Sequence, residues 1–142
     1  MKVTNLFRGL LAVVCGLILF TSCSTKDPKF LQYYVQGEQL YVKHCSNCHQ
    51  KTGKGLGRLY PPIANSDFVK NNLEQTLCLM KYGRQGAITV NTIEYNKPMP
   101  GVVSLTDLEV AEIATFIYNS WGDERGIIDV SKVTPVIQSC QR

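Results

Sequence analysis

A cluster of two cysteines and a histidine in the first half of the chain constrains its fold most strongly. Cys45 and Cys48 are separated by two residues, and His49 follows directly. Two thiols on one turn of chain can each form a thioether with a vinyl group of haem, and the next side chain then lies beneath the iron. The pattern therefore predicts that Cys45 and Cys48 bind haem covalently and that His49 is an axial ligand.

Two other uses of these side chains fit the sequence less well. A structural zinc site would take Cys45, Cys48 and either His49 or His44, but tetrahedral zinc needs four ligands, usually from two separated pairs, and no second pair follows. A thioredoxin-like dithiol would need a preceding strand within a βαβ unit. The residues before Cys45 have a helical pattern instead, which favours haem.

The N-terminus has the organisation of an export signal. Lys2 and Arg8 are followed by an apolar run over residues 10–20, which is shorter than the roughly 20 residues that a membrane-spanning helix needs. The next residues, Phe20-Thr21-Ser22-Cys23, resemble the lipobox of bacterial lipoproteins, although Phe20 stands where leucine is usual. An ordinary signal peptide with an incidental cysteine, or an uncleaved anchor, is the alternative.

The lipobox resemblance implies a signal peptide over residues 1–22, lipidation of Cys23 and a polar tether over residues 23–29. Several acyl chains on one residue would hold the protein stably on a membrane. We therefore expect an exported protein, lipid-anchored at Cys23 on the periplasmic side of a bacterial membrane.

The rest of the chain, within a total of 142 residues, predicts one mainly helical domain over residues 30–122. Helices are predicted over residues 30–44, 73–82 and 107–119, with a short helix capped by Ser66 and a small extended insert or hairpin over residues 86–96. Thr106 and Glu109 form a capping box. The inward face of the 107–119 helix is predicted to consist of Leu108, Ala111, Ile113, Phe116 and Ile117. The tail, residues 123–142, is expected to pack on the domain or to remain flexible.

The order of motifs resembles a class I c-type cytochrome, in the form of a small bacterial mono-haem domain. The Cys45–His49 pattern is followed by a glycine-rich loop over residues 50–62, then by Pro61-Pro62-Ile63-Ala64-Asn65-Ser66-Asp67, and later by Pro98-Met99-Pro100. The resemblance implies an all-α cytochrome c fold. Its first and last helices would cross around one covalently bound haem c, near Gly37 and Tyr41, with a small insert before the methionine loop.

Met99 is the candidate for the sixth iron ligand. Prolines on both sides restrict its backbone, and it follows His49 by 50 residues, far enough for the chain to return on the opposite face of the haem. Met80 belongs to a helical apolar stripe and is assigned to packing. His44 adjoins Cys45 on the proximal side and cannot easily reach the opposite face.

Further site residues follow from the resemblance. In that family a loop proline carbonyl accepts the Nδ1 proton of the haem histidine, and Pro62 is the first candidate here, with Pro61 next. Arg84 and Tyr95 are candidates for hydrogen bonds to the haem propionates. Cys78 and Cys140 either form a disulfide that clamps the tail or remain a buried thiol and a tail thiol.

The expected function is electron transfer. With His49 and Met99 bound, the iron would carry single electrons by outer-sphere transfer between membrane or periplasmic redox proteins, such as an oxidase, a reductase or a dehydrogenase, and the chain would not be an enzyme. The alternatives are a haem enzyme or ligand sensor with an open sixth position, or a c-type subunit of a larger oxidoreductase. The charge of +4 gives no reason to expect a nucleic-acid partner, and we expect a monomer.

Overall fold

The first helix carries the chain into the cysteine pair. Helix α1 covers Pro28–His44, and the computed structural model describes residues 27–121 and 123–140. Asp27 caps α1 by accepting a hydrogen bond from the backbone N–H of Lys29, and Pro28 has the fixed φ that suits a first helical position. The helix therefore begins two residues before the predicted start, within the predicted tether. The predicted signal peptide and Cys23 lie outside the described residues.

Short elements surround the residues predicted to bind haem. In chain order after α1 they are α2 (Ser46–His49), α3 (Asp67–Asn71), α4 (Leu73–Tyr82), β1 (Gly83–Arg84), β2 (Ile88–Val90), β3 (Ile93–Tyr95), β4 (Met99–Pro100), α5 (Asp107–Ser120) and α6 (Val130–Ser139). The structure thus has the predicted main helices, with α4 matching its predicted range and α5 one residue longer. Among the described residues, no helix is long and apolar enough to span a membrane.

Helices α1 and α5 cross closely at Gly37. A Cβ atom placed on Gly37 would lie 1.9 Å from the Glu112 carbonyl oxygen and 3.0 Å from Cβ of Phe116. Glycine at this position therefore brings the two backbones into contact, as the family resemblance implied. Tyr41, one turn further along α1, is fully buried, and its ring centroid lies 5.3 Å from that of Phe116.

Two small antiparallel sheets accompany the helices. Strands β2 and β3 form the predicted hairpin, and its two-residue turn uses Asn91 and Thr92, which both have positive φ. The second sheet, in which β1 pairs with β4, was not predicted, because two-residue strands leave no alternation to detect. It sets Gly83 opposite Pro100 and Arg84 opposite Met99.

The core lies mainly along α5, whose capping box is formed by Thr106 and Glu109 as predicted. Leu108, the second residue of α5, was predicted to face inward but is 43% exposed, so that prediction was wrong. The helical spacing of apolar residues placed Leu108 on the inward face, but α5 contacts its neighbours at residues further along the helix. The fully buried side chains of α5 (relative exposure of 0 or 1%) are Val110, Ala111, Ile113, Ala114, Thr115 and Tyr118.

The C-terminal tail packs on the domain as a helix. Asp129 caps α6 at its N-terminus, Val133 and Ile137 are buried one turn apart, and a disulfide joins Cys78 of α4 to Cys140. The sequence of α6 has only a weak helical pattern because Pro135 lies inside the helix, where it removes a backbone donor. Packing and the disulfide together hold a helix that propensity alone would disfavour.

The crossing at Gly37 yields a first prediction. In an ordinary helix, Gly37→Ala would stabilise the protein by about 1 kcal/mol. Here the new methyl group meets a backbone carbonyl that cannot move alone, so we expect a destabilisation of about 1–3 kcal/mol, or more. Urea unfolding of the haem-loaded protein measures it, with Gln39→Ala on the exposed side of α1 as the control. A more stable Gly37→Ala variant would contradict the close crossing.

Candidate haem site

The imidazole of His49 is held in one tautomer by the loop that follows it. Its Nδ1 lies 2.9 Å from the Pro61 carbonyl oxygen, and because a carbonyl only accepts, Nδ1 carries the proton. Nε2 therefore keeps its electron pair. Burial lowers the pKa of His49 below its usual range, while the hydrogen bond to Pro61 acts in the opposite direction. The ring is thus neutral at pH 7 and suited to bind a metal ion.

The acceptor of this bond corrects one sequence prediction. Pro62 was the first candidate, but the carbonyl of Pro61 accepts the proton. Gly55 decides the position of this carbonyl: its N–H donates to the His49 carbonyl, and a Cβ atom on it would lie 2.6 Å from the Pro61 oxygen. Two adjacent prolines give the same sequence signal, and only the folded loop distinguishes them.

Cys45 and Cys48 are half-buried next to His49 and form no disulfide. Burial, reinforced by the neighbouring Cys48, raises the pKa of Cys45 to about 12. Redox-active dithiols have the opposite property, a lowered thiol pKa. The two thiols therefore do not resemble a thioredoxin-type centre, and within the described residues no group of three or more potential ligands could hold a zinc ion.

The thiols and His49 form part of the wall of a mainly apolar cavity. All seven residues predicted to hold the cofactor line it, and its empty volume is about 940 Å³ including its mouth. The seven residues are Cys45, Cys48, His49, Pro62, Arg84, Tyr95 and Met99. A smaller adjoining cavity shares Cys45, Cys48, His49, Met80, Met99 and Pro100 with the larger one.

Met99 reaches this cavity from a short strand fixed to the end of α4. A Cβ atom on Gly101 would lie 2.3 Å from the carbonyl carbon of Tyr82 and 2.5 Å from the nitrogen of Gly83. The N–H of Val102 also donates to the carbonyl of Met80 over 3.0 Å. The backbone on the C-terminal side of Met99 is therefore held against α4. The prolines on both sides of Met99 drew attention in the sequence, whereas the close approach of Gly101 to Gly83 was not predicted.

Arg84 provides an independent test of whether the cavity suits haem. One of its terminal nitrogens donates to the Ala87 carbonyl over 2.6 Å, but its Nε is buried without a partner among the described residues. A buried, unpaired donor in an otherwise apolar cavity calls for an acceptor from a bound molecule. Haem supplies one in its propionates, and its apolar ring suits the remaining walls. Tyr95, which is 4% exposed, lines the same cavity.

Met80 lies closer to the site than its assignment to packing implied. It is 6% exposed, belongs to the hydrophobic core and lines both cavities together with Met99. His44 lines the smaller cavity beside Cys45. The cavity therefore contains two methionines, one on a helix and one on a strand.

Comparison with known proteins agrees with this site. Residues 34–121 match the family model described as cytochrome c. The chain is 30% identical over 95 residues to cytochrome c-552 of Thermus thermophilus, covering 64% of this chain and 72% of that protein. It is 32% identical over 104 residues to the cytochrome c subunit of the quinone alcohol dehydrogenase of Gluconacetobacter polyoxogenes, covering 70% of this chain but only 22% of that subunit.

The fold and the site thus define a class I c-type cytochrome. The chain belongs to the cytochrome c family: it has the all-α cytochrome c fold, binds one haem c covalently and carries electrons.

The contact around Gly101 yields a second prediction. Gly101→Ala forces the Met99 strand away from α4, because the nearest atoms are backbone. If Met99 binds the iron, we expect weakening or loss of the absorption band, near the red end of the visible spectrum, that marks methionine bound to ferric haem. Val103→Ala is the control, since Val103 is 68% exposed. An unchanged band in Gly101→Ala would show that the strand does not position the ligand.

Proposed function

We propose that this protein is a His/Met-ligated electron carrier and not an enzyme. Cys45 and Cys48 hold the haem, His49 binds iron through Nε2, and Met99 binds it from the other side. With both axial positions taken, no substrate enters the iron's coordination sphere. When bound, haem c supplies a one-electron centre, and methionine ligation raises its reduction potential relative to two histidines.

The observation that carries this proposal is the way the His49 ring and the Met99 backbone are held. The His49 ring is fixed by the Pro61 carbonyl, and the backbone beside Met99 is fixed by its pairing with β1. Both contacts are made by the protein alone. Ligands preorganised in this way need little rearrangement when the iron changes its charge, which suits fast electron exchange.

Arg84 and Tyr95 complete the binding of the cofactor in this proposal. The unpaired Nε of Arg84 donates to a propionate, and Tyr95 closes the same part of the cavity. A charge-assisted hydrogen bond of this kind orients the haem and offsets the cost of burying a carboxylate.

The redox partner is proposed to be a membrane enzyme, in line with the lipid anchor predicted from the sequence. If Cys23 is lipidated after export, four residues lie between it and Pro28, and the five steps along the chain reach at most about 18 Å. Helix α1 adds about 26 Å before the haem-binding cysteines. The haem then stays near the membrane surface on its periplasmic side. Since some relatives are cytochrome c subunits of a quinone alcohol dehydrogenase, a quinone-linked dehydrogenase is one candidate partner.

A matched pair of variants tests the ligand assignment. Met99→Leu and Met80→Leu make the same volume-conserving change at the two methionines of the cavity. We expect Met99→Leu to abolish the methionine band, to lower the reduction potential and to let ferrous iron bind carbon monoxide. Met80→Leu should retain the band and the potential. The reverse result would assign the ligand to Met80, and a wild-type protein without the band would indicate an open or differently ligated iron.

The anchor is tested in the full chain expressed in a bacterium. We expect Cys23→Ser to abolish incorporation of labelled fatty acid and to release the haem protein from the membrane fraction. Cys15→Ser, within the apolar run, is the control and should change neither. If Cys23→Ser stays on the membrane without label, the N-terminal segment is an uncleaved anchor. If the wild type is unlabelled and soluble, the segment is an ordinary signal peptide.

A further inference from the structure

The Met99 loop is held unequally on its two sides. The C-terminal side is paired with β1 and packed around Gly101, so its backbone is fixed. The N-terminal side, residues 96–98, is exposed. Any movement that withdraws Met99 from the cavity is therefore easiest at residues 96–98.

One side-chain contact is made by this exposed segment. The Lys97 ammonium nitrogen lies 5.1 Å from the ring centroid of Tyr60, and both residues line the cavity. Tyr60 directly precedes Pro61, whose carbonyl holds His49. In the described part of the chain, no other side-chain hydrogen bond, ion pair or ring contact ties residues 96–98 to the domain. The contact thus joins the loop that follows His49 (the histidine loop, residues 50–62) to the loop that contains Met99 (the methionine loop, residues 96–101).

We propose that Lys97 and Tyr60 form a clasp that keeps the methionine loop closed and so limits the entry of external ligands to the iron. They are positioning residues, since neither touches the iron. The inference rests on the proposed ligation by Met99. An external ligand binds only when Met99 has left, so its apparent affinity is proportional to the fraction of molecules in the open form.

The expected size of the effect follows from the contact. An exposed cation–π pair contributes about 0.5–1 kcal/mol, which corresponds to a change of about two- to five-fold in the open fraction. Loss of the clasp should therefore tighten the binding of an external ligand by this factor. The melting temperature should change little, because the core and the β1–β4 pairing are untouched.

The test is a double-mutant cycle on the ferric, haem-loaded protein, titrated with imidazole at constant pH and ionic strength. Imidazole binding is followed by loss of the methionine band. We expect Lys97→Gln and Tyr60→Leu each to bind imidazole about two- to five-fold more tightly. The double variant should bind no more tightly than the stronger single variant, because both remove one contact. Lys97→Arg and Tyr60→Phe retain a cation and a ring face and should resemble wild type.

A charge control separates the clasp from simple electrostatics. Lys54→Gln removes the same charge from the exposed histidine loop, where Lys54 forms no ion pair with a described residue, and should leave imidazole binding unchanged. Equal effects of Lys54→Gln and Lys97→Gln on imidazole binding would overturn the clasp. Additive effects of Lys97→Gln and Tyr60→Leu, or wild-type affinity in all variants, would overturn it as well. A wild-type protein without the methionine band would instead refute the proposed function on which the inference rests.

Discussion

The crossing of α1 and α5 is the contact on which the site depends. Because Gly37 lacks a side chain, the backbone of α1 lies directly against the carbonyl of Glu112. Helix α1 ends at His44, directly before the Cys45–His49 segment, so the crossing fixes where the thiols and the imidazole are presented. Tyr41 connects the two regions, since its ring packs on Phe116 and its hydroxyl donates to the Gln50 carbonyl over 2.7 Å.

The two proposed iron ligands are supported by different means. His49 lies on a helical turn, and its ring is fixed by a hydrogen bond to a loop whose shape depends on Gly55. Met99 lies on a two-residue strand, and its position depends on backbone contact at Gly101. Electron transfer benefits from rigidity on both sides, yet the exposed residues before Met99 make its side the easier one to open.

The tail stabilises the part of the domain that supports the methionine loop. The Cys78–Cys140 disulfide, with a sequence separation of 62, joins α6 to α4, and the end of α4 continues into the strand that pairs with β4. Closing a loop of this length contributes up to about 4 kcal/mol on the chain-entropy model. At the other end of α6, Lys29 contacts Asp129 over 2.5 Å, which connects the tail to the start of α1. This contact lowers the pKa of Asp129, but the pair is exposed and contributes little.

The sequence by itself determined the chemistry and the main helices, because these depend on local patterns. Cys45, Cys48 and His49 define haem attachment through their spacing, and Thr106 and Glu109 define the start of α5. Other features depend on residues distant in sequence that meet only in the folded chain. Which of Pro61 and Pro62 binds His49, the exposure of Leu108, the pairing of β1 with β4 and the contact of Lys97 with Tyr60 were all decided by tertiary structure, because backbone geometry and long-range packing leave no local signal.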